Sequence, residues 1–165
     1  MNILDPLKLI VDVIKAGYQA ATKMPRITCD IRGMYASRYG PDYLPSLSGN
    51  DIEAEGIEIE THIEILLSNS GGVDTTLKDI YVLCNSRGKK LGRLSCYFRE
   101  AQDKFYDRDF AGIVIEPRRI WGPKTLKIQG SLWNIDKPPK NMKATLVVEV
   151  VSQRPIKKRV KFFFD

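Results

Sequence analysis

Histidine and cysteine are scarce in this chain: His62 is the only histidine of 165 residues, and Cys29, Cys84 and Cys96 are the only cysteines. An odd cysteine count excludes a closed disulfide framework, and the lack of any C-x-x-C pair beside a single histidine excludes the usual zinc spacings. Any Ser-His-Asp or Cys-His arrangement would have to run through His62. That residue alternates with Glu58, Glu60 and Glu64, the pattern of a solvated strand face. No G-x-G-x-x-G or G-x-x-x-x-G-K-[S/T] loop is present to cradle phosphate. Asp103, Asp107 and Asp109 are interrupted by Lys104 and Arg108 and lack the glycine of a calcium loop. No stretch approaches the roughly 20 apolar residues of a membrane span. The apolar N-terminus is broken by Lys8, Asp12 and Lys15 and lacks the basic start of a signal peptide. These absences predict a non-enzymatic protein without metal or cofactor. The three thiols lie among apolar neighbours as small hydrophobes, which fits a reducing, cytoplasmic setting.

What is present is an ordinary globular composition, 43% hydrophobic and 28% charged, in a length suited to one domain. The net charge of +6 is unevenly spread. Residues 1–83 carry 7 Lys/Arg against 12 Asp/Glu, a balance of −5; residues 84–165 carry 19 against 8, a balance of +11. Either the halves interleave so that opposite charges meet across strands, or one face is basic and meets an anionic partner.

The first element is a helix. Asp5 suits the N-cap, Pro6 the first helical position, and Pro25 closes the region. Lys8, Asp12, Lys15 and Gln19 fall within a sector of about 60° on the helical wheel, leaving Leu7, Ile10, Val11, Ile14 and Tyr18 on a wide apolar remainder. So narrow a polar stripe requires a cover. The candidates are the body of the same domain, another subunit or protein partner, and a membrane interface.

After Pro25 the period changes to 2. Ile27, Cys29 and Ile31 alternate with Thr28, Asp30 and Arg32. From Ile57 to Leu67, apolar residues and Thr61 alternate with Glu58, Glu60, His62 and Glu64. Further strands are expected over 77–84, 91–99, 112–116, 125–133, 144–151 and 157–164, separated by turn residues in the manner of an all-β sandwich or barrel. The stretch 35–50, rich in Pro, Gly and Tyr, reads as a long loop. A strand at 125–133 beside the one at 57–67 would bring Lys127 to the outward glutamates.

The segment I-E-I-L-L-S-N-S-G-G-V-D-T-T-L-K-D-I-Y-V-L, followed by S-R-G-K-K-L-G, resembles a strand–turn–strand of immunoglobulin-like and fibronectin-III-like sandwiches. It is also similar to the water-stress domain of the LEA14 type. Tyr81 stands nearest to where antibody domains carry tryptophan, and no tyrosine precedes Ala144 to form a tyrosine corner. The resemblance implies an immunoglobulin-like antiparallel β-sandwich of seven to nine strands after one N-terminal α-helix, and a non-catalytic role. Residues 1–24 would form the helix and 25–165 the sandwich.

Two functions follow as expectations. In the first, the protein is a binding or assembly module that contacts a protein partner or a second subunit through Leu7, Ile10, Val11, Ile14 and Tyr18. In the second, Arg154, Lys157, Lys158, Arg159 and Lys161 bind an anion, whether the phosphates of nucleic acid or the surface of an anionic membrane contacted peripherally.

Overall fold

A computed structural model describes residues 6–34, 38–41, 56–86, 89–98, 110–133 and 141–163. One helix, α1 (Pro6–Thr22), precedes nine strands. These are β1 (Ile27–Met34), β2 (Arg38–Pro41), β3 (Gly56–Asn69), β4 (Thr75–Ser86) and β5 (Lys89–Phe98). They continue with β6 (Val114–Ile115), β7 (Ile120–Trp133), β8 (Asn141–Val150) and β9 (Ile156–Phe163). The all-β class, the antiparallel pairing, the strand number and the leading helix agree with the sequence reading. No helix among the described residues is long and apolar enough to cross a membrane.

All the strands pair antiparallel, and their hydrogen bonding follows one path, β1-β3-β7-β5-β4-β8-β9, with β2 added to β3 and β6 to β4. Two walls, β1-β3-β7 and β4-β8-β9, are joined through β5. That strand pairs with β4 over Lys89–Ser95 and with β7 over Ser95–Phe98, so Ser95 belongs to both ladders. A strand that changes partner midway turns a corner, and here it curls one sheet into a barrel-like body. The inward residues of both walls meet in one core: Ile59, Ile63, Ile65 and Leu67 from β3, Ile80 and Val82 from β4, Leu146 and Val148 from β8. Phe110 enters from the loop before β6. Its ring lies 5.3 Å from Phe98 and 6.2 Å from Trp121, the latter edge-on, arrangements favoured by the aromatic quadrupole.

The path does not close by a ladder. Beside the first residue of β1, Gln153 in the β8–β9 turn supplies a substitute. Its Oε1 accepts from the Ile27 N–H at 2.9 Å, and its Nε2 donates to the Ile27 carbonyl at 3.1 Å. One carboxamide thus mimics one residue of strand pairing across the seam.

Two elements differ from the sequence reading. Arg38–Pro41, inside the stretch read as a loop, pairs with Ile57–Glu60 at the sheet edge. A strand with only one neighbour tolerates Gly and Pro there. Strand β7 begins at Ile120, five residues earlier than expected, and runs through Gly122-Pro123, whose peptide bond is cis. Gly122 has φ 110°, and a Cβ there would stand 2.8 Å from the Ile65 carbonyl oxygen, so the residue is glycine because nothing larger fits. Asp103, Asp107 and Asp109 lie outside the described residues.

Candidate functional site

The helix does not lie on the barrel. Every described side chain from Ile10 to Gln19 is exposed, with Ile14 at 64% and Tyr18 at 73%. Of the three covers open to the apolar face, the protein's own body is therefore not the one used by Ile10, Val11, Val13, Ile14 and Tyr18. Leu7 belongs to α1, but its side chain is outside the described set.

The chain that follows the helix is fixed firmly. Asn69, 1% exposed at the end of β3, uses its whole hydrogen-bonding capacity on this joint. Its Oδ1 accepts from the Arg26 N–H at 3.2 Å and the Gly71 N–H at 3.0 Å. Its Nδ2 donates to the Val73 carbonyl at 2.8 Å and the Ile115 carbonyl at 3.0 Å. The Ser70 N–H donates to the Arg26 carbonyl at 2.9 Å, and Gln153 grips Ile27. Gly71 lies under Met24 and Arg26 so closely that a Cβ would meet the Met24 carbonyl oxygen and come within 2.7 Å of the Arg26 nitrogen. The helix is thus carried on a rigid root. Lys23, Met24, Pro25, Val73, Asp74 and Ser152 line an open hollow beside that root.

The second surface is the outer face of β8 and β9. Lys157, Arg159 and Lys161 alternate with the inward Val160 and Phe162, and all three cations are exposed. Lys161 stands directly opposite Lys143 of β8, a like-charge pair that sequence reading missed because register cannot be read from either strand alone. Lys158 departs from the expected group. It is half-buried on the inward side of β9, near enough to Cys29 for its charge to act on that thiol. Arg154 is exposed in the turn beside Gln153.

A second like-charge pair, Asp79 opposite Glu149, lies further across the same wall. It is compensated: Arg93 ion-pairs with Asp79, and its guanidinium lies 3.8 Å from the Tyr81 ring centroid. The Tyr81 hydroxyl donates to Glu149 at 2.7 Å, which holds that phenol above its ordinary range. The only contact described for the lysine pair is Lys161 over the Phe163 ring, at 4.8 Å.

On the opposite wall the expected pairing of halves does occur. His62 stands across from Lys127 in the β3–β7 register, and Lys127 reaches Glu60 at 3.4 Å. Gln129 donates to Glu58 at 2.8 Å, in an open hollow shared with Ser95 and Tyr97. Burial pushes the Cys29 thiol up to about 11 and that of Cys84 to about 12, and raises Cys96 further. Such thiols are poor nucleophiles. Among the described residues no three His, Cys, Asp or Glu side chains gather as a metal site.

No family model matches the chain, and no curated protein matches it. Two solved structures are similar in outline. One is a protein of Bordetella pertussis solved under the name ApaA, 10% identical, with a TM-score of 0.36 over 87% of this chain and 97% of that one. The other is the structural-genomics target SoR45, 12% identical, with a TM-score of 0.37 over 83% and 86% of the two chains. Likeness at this level assigns neither a family nor a function.

Proposed function

We propose that the protein is a non-enzymatic docking module, an immunoglobulin-like barrel that presents α1 to a protein partner or to a second copy of itself. The observation that carries this reading is the exposure of Ile10, Val11, Val13, Ile14 and Tyr18 on a helix whose root is bound by Asn69, Ser70 and Gln153. Apolar surface of that extent, held in place, is the mark of an interaction site. The immunoglobulin-like assignment is supported by the strand order. The walls β1-β3-β7 and β4-β8-β9 follow the A-B-E and C-F-G arrangement, with β5 at the corner. A reducing, cytoplasmic location is consistent with three buried free cysteines.

The test is sedimentation of the full chain beside Ile10→Asp/Ile14→Asp and residues 25–165 alone, together with photo-crosslinking from position 14 in host cells. The reading expects an oligomer that both altered chains lose, or one dominant crosslinked protein that Ile10→Asp abolishes. A monomeric full chain with no specific crosslink would sink it.

A further inference from the structure

The lysine pair on β8 and β9, which no acid among the described residues compensates, plays no part in presenting the helix. We propose that Lys157, Arg159 and Lys161, with Lys143 beside them, bind the phosphate backbone of a single-stranded nucleic acid, with Phe163 as a stacking platform at one end. Alternate residues of a strand stand roughly 6.7 Å apart, so β9 offers three cations in a straight, evenly spaced row. Like charges in direct register cost stability, and the same wall shows how such a pair is neutralised internally, by Arg93 and Tyr81 around Asp79 and Glu149. Among the described residues no acid stands beside Lys143 and Lys161 in this way, and a bound polyanion would supply the countercharge.

The shape of the patch favours a linear polyanion over a flat one. A bilayer surface laid on this wall would also meet Asp79 and Glu149, whereas a strand following β9 keeps to the cations. Phe163, 54% exposed at the end of the row, adds the aromatic face on which a base of any sequence can stack.

The test is fluorescence anisotropy of the full chain with a labelled thymidine oligomer of about 15 nucleotides, titrated between about 50 and 200 mM salt. Four cations on single-stranded phosphate give a log–log salt slope of about −2.8. Arg159→Ala/Lys161→Ala is expected to halve that slope, to about −1.4, and to weaken low-salt binding on the order of tenfold. Phe163→Ala should weaken binding at least about fivefold and leave the slope unchanged. Lys78→Ala/Arg118→Ala, which removes the same charge elsewhere, should keep both. Thermal melting confirms that each variant is folded, and the Phe163 variant reports even where the double one is unstable. The proposal is overturned by a flat salt response, by equal losses in the control, or by β9-dependent binding to phosphatidylserine vesicles without binding to the oligomer. It is equally overturned if the β9 variants aggregate while their affinity holds, since the lysines would then serve only to guard a sheet edge.

Discussion

Asn69 concentrates more structure than any other single side chain described. Four bonds tie β3 to the helix root, to the turn at Val73 and to β6. Asn69→Ala would strand buried donors and acceptors, each costing about 1–3 kcal/mol, and a loss of about 3 kcal/mol or more is expected in urea unfolding. Asn69→Asp should be worse at neutral pH, because an anion would face two carbonyl oxygens, and should recover part of the loss in mild acid as that carboxyl takes up a proton. In the sequence Asn69 reads only as a turn residue. Its reach to Ile115, 46 positions away, has no local signature. The thiols give a second prediction. Unfolded cysteines release protons near pH 9, whereas Cys29 and Cys84 hold theirs to about 11 and 12. The native state therefore keeps more protons above pH 9 and loses stability as pH rises from there, by up to about 1.4 kcal/mol per unit for each thiol. Calorimetry from pH 8 to 11 should show the fall, and Cys84→Ala should make it shallower while Cys29 and Cys96 sustain the rest.

Among the elements, those with a clear period were legible. The alternation in β3 and the apolar wheel of α1 each dictate a structure whatever surrounds them. Strand β2 was not, since Arg38–Pro41 owes its conformation to the edge of β3 rather than to its own residues. The start of β7 was hidden behind Gly122 and Pro123, which punctuate turns more often than strands. The wheel shows that α1 needs a cover but not which one, and with that the leading candidate site was only half readable. The structure moves Ile14 off the barrel, so Ile14→Lys should change unfolding stability by no more than about 0.5 kcal/mol, measured by thermal melting. Gly71→Ala should behave oppositely. It touches no docking surface, yet it pushes the root away from the sheet at Arg26 and is expected to cost about 2 kcal/mol.

For the whole molecule, the opposite charges of the two chain halves were readable, but only part of their resolution was. Lys127 meets Glu60 as strand pairing predicts, while β9 pairs with β8 and keeps its cations apart from the acidic wall. Which strands become neighbours is a property of the path, set by the corner at Ser95. Because both walls share one core, truncating Phe110 should be felt everywhere: Phe110→Ala is expected to lower stability by about 3–5 kcal/mol, with fluorescence and circular dichroism still changing together in one transition. The slit between the first and last strands has its own consequence. A tube zipped on every side has no preferred place to begin opening, whereas this one has a starting line whose hydrogen bonds, among the described residues, come from one glutamine beside Ile27. Solvent deuterium should enter along that line before any other part of β1. Any pull on the helix passes through Arg26, held by Asn69 and Ser70, to Ile27 next to it, so whatever grips α1 strains the joint beside the clasp that keeps the tube shut.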